Sequence, residues 1–218
     1  QTVRKDINVK KLDIKNLFNK QFYNKYIDIY HGNIEENTYK DKSGSGSTTH
    51  VSIVDSSNNC SSITTSNGAG SGYIVPDTGI MMNNMLGEED LNPEGFHSWD
   101  TTKRMQTMMS PTIISGKLGP ELILGSGGSN RIRSAIQQVI INNYINQMDL
   151  NNSIYSPRLH LDGEIIHCEK GLDYQNFDFT WSKINQWDGK NLFFGGVNAV
   201  TKNEAVGDHR RNGYGLIC

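Results

Sequence analysis

The sequence predicts a mixed α+β fold in which the strands pair antiparallel, and three observations lead to it. Short apolar segments bounded by turn residues follow one another from Thr49 onward, which is typical of strands. Two of these segments, 112–115 and 121–125, are joined by Gly-Lys-Leu-Gly-Pro, which predicts a hairpin. Between Asn130 and Met148 the apolar residues instead recur with a period near 3.6, which predicts a helix.

Before Thr48 the sequence predicts an amphipathic helix over residues 11–30, followed by a flexible linker. His31 and Gly32 end the helical pattern, and the apolar signal fades between residues 33 and 47. The linker ends in Lys-Ser-Gly-Ser-Gly-Ser, a composition that does not repay the entropy of ordering. The apolar residues at helical spacing are Ile14, Leu17, Phe18, Phe22, Tyr26, Ile27 and Tyr30.

The strands predicted after the linker begin with a pair. Thr49, Val51 and Ile53 alternate with their neighbours, residues 55–59 form a turn, and residues 61–66 run back as a second strand. Further strands are predicted at residues 79–84, 163–169 and 192–200.

Composition excludes several classes of function. The chain has 218 residues, and Lys plus Arg number 21 against 23 Asp plus Glu, a net charge of −2. No positive field therefore favours nucleic acid or anionic lipid as a partner. No apolar run approaches the roughly 18 residues that a membrane-spanning helix needs. Because the chain begins with Gln1 and no leader follows, we expect the start of the gene product to be missing.

Motifs of several common chemistries are absent from the sequence. It contains no GxSxG, GxxxxGK[ST], GxGxxG or HExxH motif. Its three cysteines, Cys60, Cys168 and Cys218, are scattered, and its six histidines never have two-ligand spacing on one helix. The sequence therefore predicts neither a metal site nor a cofactor.

The junction between the linker and Thr48 suggests a cleavage site. A cut between Ser47 and Thr48 leaves a threonine with a free α-amino group, whose reference pKa is about 8. That amine can take the proton from its own hydroxyl as the oxygen attacks a carbonyl. The alternative interpretation is that Thr48 and Thr49 are ordinary β-branched strand residues after a loop.

Six separated blocks of residues bear on this choice. They are 48–55 (TTHVSIVD), 79–84 (GIMMNN), 109–112 (MSPT), 125–129 (GSGGS), 157–160 (PRLH) and 207–211 (GDHRR). In this order and at these intervals the blocks resemble the small subunit of the gamma-glutamyltranspeptidases, members of the N-terminal-nucleophile hydrolase superfamily.

The resemblance implies a four-layer αββα sandwich that is incomplete without the large subunit. Residues 1–47 then correspond to the tail of the large subunit, and residues 48–218 to the small, catalytic subunit. The implied activity follows self-cleavage of a precursor and is the transfer or hydrolysis of γ-glutamyl groups. The implied substrates are glutathione and related amides, with an amino acid, a peptide or water as acceptor, and no cofactor. The implied location is the outer cell surface or the periplasm.

The resemblance also assigns roles to residues. Thr48 matches the nucleophile, and its hydroxyl would also perform the self-cleavage by attacking the Ser47 carbonyl. Gly127 and Gly128 match the pair whose N–H groups face the oxyanion, a role suited to glycines near a helix N-terminus. Within Thr65-Ser66-Asn67, Thr65 matches the hydroxyl that supports the nucleophile, with Ser66 as the fallback, and Asn67 matches the amide that contacts the glutamyl end.

Departures from the family pattern concern substrate recognition. After two asparagines, which are Asn83 and Asn84 here, the family has a glutamine or glutamate and, three positions further on, an acidic residue. This chain has Met85 directly after the asparagines, and Glu88 is the best candidate to hold the substrate's ammonium. The family's Ser-Ser that helps bind the α-carboxylate becomes Thr107-Met108. The arginine for that carboxylate comes from the large subunit.

Two alternatives therefore stay open beside γ-glutamyl transfer. One is a related amidase or acylase of the same superfamily that acts on another acyl group. The other is a non-catalytic or orphan relative that never cleaves itself and serves as an assembly or binding partner.

Overall fold

The computed structural model describes Asn24 and residues 48–88, 91–92, 94–174 and 183–218. The predicted helix at 11–30 and the linker up to Ser47 lie outside the described residues, apart from Asn24, which is helical. The strands are β1 Thr49–Val54, β2 Cys60–Thr65, β3 Thr112–Gly116, β4 Gly119–Gly127, β5 Leu159–Asp162, β6 Ile165–Cys168, β7 Lys183–Gln186, β8 Gly196–Val200 and β9 Ala205–Val206. The α-helices are α1 Arg131–Ile140 and α2 Leu150–Tyr155.

Strands β1 and β2 form the predicted antiparallel hairpin, in which Thr49 pairs with Thr65 and Val54 with Cys60. The Asp55 carboxylate fixes the turn, because its Oδ1 accepts hydrogen bonds of 2.8 Å from the N–H groups of Ser57 and Asn59. The hairpin therefore has a defined register from its turn to its open end.

A four-stranded antiparallel sheet in the order β3-β4-β8-β9 lies at the centre. Its longest strand, β4, alternates between two buried faces. Leu122 and Leu124 pack against α1, whereas Gly125 lies beneath the ring of His50 from the hairpin. The core on the α1 side contains Leu122, Leu124, Ile132, Ala135, Ile136, Val139, Leu150, Ile154, Val197 and Ala199.

The β1–β2 hairpin packs on the face of this sheet opposite α1. Two side chains tie the layers together: Ser62 Oγ donates to the Leu124 carbonyl (3.1 Å), and Asn198 Nδ2 donates to the His50 carbonyl (3.1 Å). The order helix, sheet, hairpin gives three layers of the predicted αββα arrangement. A second helical layer is not found among the described residues.

The third sheet, β5-β6-β7, differs from the prediction. Its β6 and β7 strands pair parallel, although only antiparallel pairing was expected, and β5 was not predicted. Such pairing joins segments distant in sequence, so local patterns do not show it.

Three predicted elements have other bounds or another form. Residues 79–84 are not a strand, although they make an isolated bridge, Ile74 with Met81, and backbone hydrogen bonds with residues 71–75. The segment 192–200 divides into a 3₁₀ turn, Leu192–Phe194, and β8, because Gly195 has φ +74°. The helix predicted to reach Met148 is α-helical only to Ile140 and continues as a π-helical turn, Ile141–Ile145.

Four buried charged residues hold the C-terminal segment against the sheets. Arg158 Nη2 lies 2.7 Å from Asp208 Oδ2, and Arg210 Nη2 lies 2.5 Å from Glu169 Oε2. Arg210 also contacts Asp208, and Asp208 Oδ2 accepts from the backbone N–H of Val197 (3.0 Å) in β8.

No helix within the described ranges is long and apolar enough to span a membrane.

Candidate active site

The site is built around Thr48 at the open end of the hairpin. Thr49 pairs with Thr65, so the next position along the ladder brings Thr48 opposite Ser66. Their hydroxyl oxygens, Oγ1 and Oγ, are 3.0 Å apart. Ser66 Oγ also accepts from the N–H of Gly68 (3.0 Å), so its own hydrogen is available to Thr48.

The hydroxyl beside Thr48 thus belongs to Ser66, the second choice of the sequence analysis, and not to Thr65. Thr65 is exposed in the last position of β2. Successive side chains of a strand point to opposite faces, so Thr65 and Ser66 cannot both meet Thr48. The expectation that Thr65 supports the nucleophile does not agree with this geometry.

Gly127 lies directly against Thr48. A Cβ on Gly127 would fall 2.6 Å from the Thr48 carbonyl oxygen, closer than real Cβ contacts, so a side chain at this position would displace Thr48. Gly128 has φ +135°, and a Cβ there would lie 2.8 Å from Gly195 Cα. Both glycines are therefore required by close approach, and Gly128 also by its backbone conformation.

Ser126 sets the orientation of the peptide between the two glycines. This side chain is fully buried on the α1 side of β4, and its Oγ donates to the Gly127 carbonyl (2.9 Å) and accepts from Gly196 N–H (3.2 Å). In a trans peptide the C=O and the following N–H point in opposite directions. The Gly128 N–H therefore points away from the Ser126 hydroxyl. The sequence did not single out Ser126.

Glu88 and Asn84 lie beside the turn that follows Ser66. Asn84 Oδ1 accepts from the N–H groups of Ala69 (2.8 Å) and Gly70 (3.0 Å), which fixes the turn after Ser66. A Cβ on Gly68 would fall 2.5 Å from Glu88 Oε1. Glu88, a predicted substrate residue, is therefore next to the turn that holds Ser66.

The other two predicted substrate residues have less defined positions. Asn67 is exposed, and its carbonyl accepts from Gly70 N–H (2.9 Å) and Asn84 N–H (3.1 Å). Thr107 is half-buried, and the adjacent Met108 packs with Met85, which begins the 3₁₀ turn that ends before Glu88. Their roles toward a substrate stay predictions.

His50 is close to Thr48 in sequence, but its environment does not suit a general base. Its Nδ1 lies 2.8 Å from Thr64 Oγ1 and its Nε2 lies 2.8 Å from Ser52 Oγ, so both ring nitrogens have partners other than Thr48. Burial lowers the pKa of His50 to about 4, which keeps the ring neutral at pH 7. Among the described residues, no group of three or more His, Cys, Asp or Glu could hold a metal ion.

Comparison with known proteins identifies the family. A model of the family described as gamma-glutamyltranspeptidase matches residues 1–218, which is the whole chain. The chain belongs to the gamma-glutamyltranspeptidase family. Membership also assigns it to the N-terminal-nucleophile hydrolase superfamily, as the sequence predicted.

Curated relatives in this family are proenzymes. The glutathione hydrolase proenzyme of Bacillus subtilis (strain 168) is 35% identical over 117 residues, which cover 53% of this chain and 20% of the relative. The capsule biosynthesis protein CapD proenzyme of Bacillus anthracis is 31% identical over 184 residues, 77% of this chain and 33% of the relative. The chain thus spans between a fifth and a third of the length of these relatives.

Solved structures of the family share the fold. The gamma-glutamyltranspeptidase from Pseudomonas nitroreducens complexed with L-DON matches with a TM-score of 0.66 and 25% identity, covering 78% of this chain and 99% of that chain. The predicted α+β fold of the N-terminal-nucleophile hydrolase type is therefore confirmed, as part of a larger domain.

Proposed function

We propose that this chain carries the catalytic half of an enzyme that transfers or hydrolyses γ-glutamyl groups, with Thr48 as the nucleophile. The observation that carries the proposal is the position of Thr48, whose hydroxyl meets Ser66 while its backbone lies against Gly127. A nucleophile, a supporting hydroxyl and a glycine pair near a helix N-terminus are the parts that acyl transfer requires.

The proposed reaction begins with cleavage between Ser47 and Thr48, which frees the α-amino group of Thr48. That amine takes the proton from the Thr48 hydroxyl as the oxygen attacks the γ-carbonyl carbon of the donor. The N–H groups of Gly127 and Gly128 stabilise the oxyanion. When the C–N bond breaks, the leaving amine takes the proton, and a γ-glutamyl ester of Thr48 remains. An acceptor amine or water then attacks the ester and restores the hydroxyl.

The same cut defines the proposed division of the chain. Residues 1–47 would belong to the large subunit and residues 48–218 to the small subunit. Because the relatives are proenzymes about three to five times longer than the matched part, the large subunit would supply the remaining substrate contacts.

A second candidate is an acylase that uses the same nucleophile on another acyl group. The acylase ACY 1 proenzyme of Pseudomonas sp. (strain SE83) is 31% identical over 161 residues, 73% of this chain. Met108, which stands where the resemblance expects a serine, is buried in an apolar cluster and offers no hydroxyl to a carboxylate.

One experiment tests both candidates. The full-length precursor is produced as wild type, Thr48→Ala and Thr49→Ala, and the N-termini of its fragments are sequenced. We expect a fragment that begins at Thr48 in the wild type and in Thr49→Ala but not in Thr48→Ala. The processed protein is then assayed with γ-glutamyl-p-nitroanilide and with glutaryl-p-nitroanilide, which lacks the α-amino group. Preference for the γ-glutamyl donor supports the first candidate, preference for the glutaryl donor supports the acylase, and an uncut, inactive chain contradicts both.

A further inference from the structure

A cationic side chain lies on the same face of the central sheet as Thr48. Gly127 of β4 and Gly196 of β8 are cross-strand partners, so their missing side chains would point to the same face. Gly127 lies against Thr48, and Gly196 lies beneath the stem of Arg211. A Cβ on Gly196 would fall 2.7 to 2.8 Å from the Cβ, Cγ and Cδ atoms of Arg211. Thr48 and Arg211 therefore cover neighbouring glycines.

The guanidinium of Arg211 reaches the second oxyanion glycine. Its Nη2 lies 3.6 Å from the position that a Cβ of Gly128 would take. Its Nε is buried and has no hydrogen-bond partner, and no carboxylate of the described residues forms an ion pair with Arg211. Burial lowers the pKa of Arg211, and the neighbouring charge of Arg131 lowers it further. Asp208, which opposes this shift, already pairs with Arg158 and Arg210.

The turn that presents Arg211 is rigid. Asp208 Oδ1 accepts from the Arg210 N–H (2.9 Å), and the Asp208 carbonyl accepts from the N–H of Gly213 (2.8 Å). Arg210 itself is locked to Glu169 by two hydrogen bonds. Arg210 thus anchors the turn inward, while the stem of Arg211 lies over Gly196 on the Thr48 face, so the backbone that presents Arg211 is fixed before a ligand binds.

We propose that Arg211 binds a carboxylate of the substrate beside Thr48, an inference that rests on the proposed function. A half-buried guanidinium with a free donor and a like-charged neighbour lacks the anion that would compensate it. Its planar set of donors matches a carboxylate. The carboxylate belongs either to the acyl donor or to the acceptor, and the chemistry of binding is the same.

The test uses the processed full-length enzyme as wild type, Arg211→Gln and Arg133→Gln, an exposed arginine of α1 that serves as control. Each enzyme receives γ-glutamyl-p-nitroanilide or its α-carboxamide analogue as donor, and glycylglycine or glycylglycinamide as acceptor. We expect Arg211→Gln to raise KM for the compound whose carboxylate is bound by about 10- to 100-fold. KM for its uncharged analogue and kcat should stay within about threefold, and Arg133→Gln should resemble the wild type.

A selective loss on the donor pair assigns the carboxylate to the donor, and a selective loss on the acceptor pair assigns it to the acceptor. Equal losses for charged and uncharged compounds, or no loss, overturn the proposal. If Arg211→Gln does not mature, Arg211→Lys replaces it, and the same selectivity is required with a smaller rise in KM because the charge is kept.

A binding measurement separates this proposal from the proposed function. Glutarate should raise the melting temperature of the wild type and of Arg133→Gln but not of Arg211→Gln. If the wild type turns over no γ-glutamyl amide, the proposed function fails, while this difference in melting temperature still supports a carboxylate site. Equal stabilisation of all three proteins by glutarate, or stabilisation of none, contradicts it.

Discussion

The hydroxyl oxygens of Thr48 and Ser66 lie 3.0 Å apart because both residues extend the β1–β2 ladder one step beyond the Thr49–Thr65 pair. The contact therefore depends on strand register rather than on proximity in sequence. A shift of one residue would exchange Ser66 for Thr65 or Asn67 and remove the Ser66 hydroxyl from Thr48. The hairpin turn fixed by Asp55 sets this register from the opposite end.

Ser66→Ala should lower kcat by about fivefold, because one hydrogen bond to the Thr48 hydroxyl is worth about 1 kcal/mol. KM for a γ-glutamyl donor should change little, since the proposed role of Ser66 is to orient the nucleophile and not to bind the donor. The measurement is the steady-state kinetics of the processed enzyme.

Thr65→Ala is the matched control for Ser66→Ala, since it removes a hydroxyl from the adjacent, exposed position. We expect its kcat to stay within about twofold of the wild type. A larger loss from Thr65→Ala than from Ser66→Ala would restore Thr65 as the supporting hydroxyl.

Ser126→Ala should also lower kcat, by about 10- to 100-fold, without a matching change in KM. The substitution releases the Gly127 carbonyl, so the peptide that carries the Gly128 N–H loses a hydrogen bond that fixes its orientation. Complete loss of an oxyanion donor costs about 100- to 1,000-fold, and a misdirected donor costs less. Ser115→Ala on the exposed side of β3 is the control. Unchanged kcat in Ser126→Ala would mean that the strand alone fixes this peptide.

If Glu88 has its predicted role, Glu88→Gln should reduce kcat/KM for γ-glutamyl donors by about ten- to a hundredfold, because it removes the charge that would pair with the substrate's ammonium. Cleavage before Thr48 should proceed normally, since that step involves no ammonium of a substrate. The measurement is kcat/KM alongside the yield of the fragment that begins at Thr48.

Two carboxylates serve as controls for Glu88. Glu89→Gln and Glu94→Gln should leave kcat/KM nearly unchanged. Glu94 is exposed. Equal, small effects of all three substitutions would indicate that Glu88 is a solvent-exposed carboxylate that does not bind the substrate. The ammonium would then be bound by Asn67 or by the large subunit.

The sequence predicts the elements that local patterns determine. The β1–β2 and β3–β4 hairpins have alternating strands and turn residues, and both form as expected. The pattern at 79–84 looks the same locally, but Ile80, Met81 and Met82 are exposed, and the bridge and backbone hydrogen bonds to residues 71–75 do not extend into a strand. Pairing of β6 with β7 depends on distant residues, so the sequence does not reveal it.

The sequence predicts those parts of the candidate site in which a single residue matches the family pattern. Thr48 contacts Ser66, Gly127 lies against Thr48, and Glu88 lies beside Gly68, but the roles of these residues stay predictions. The choice of Ser66 over Thr65 needs the register, and the role of Ser126 needs the orientation of a peptide, which a sequence does not contain.

Asp208→Asn should destabilise the protein by about 3 to 5 kcal/mol, because it leaves the buried guanidinium groups of Arg158 and Arg210 without a shared carboxylate. Chemical denaturation of the purified protein measures this loss. Asp100→Asn is the control, since Asp100 pairs with Lys103 at the surface and its removal should change the free energy of unfolding far less. Similar losses for both substitutions would contradict the importance of the buried cluster.

His50 should make the stability of the protein depend on pH below neutrality. Its side chain is 5% exposed, and burial lowers its pKa from 6.5 to about 4. Above pH 6.5 the ring is neutral in both the folded and the unfolded chain, so its titration does not change the free energy of unfolding. As the pH falls from 6.5 to about 4, the unfolded chain binds a proton that the folded chain does not, so the free energy of unfolding decreases.

Replacing this ring should flatten the pH profile. His50→Gln keeps groups that can bond Thr64 and Ser52 but removes the titration, so its free energy of unfolding should fall less between pH 7 and pH 4.5 than that of the wild type. The difference in slope should stay below about 1.4 kcal/mol per pH unit, the value for one proton. His160, whose pKa burial also lowers to about 4, keeps its own contribution in this variant, so the profile should not become flat. Parallel profiles for the wild type and His50→Gln, measured by denaturant titration at each pH, would show that His50 does not carry the effect.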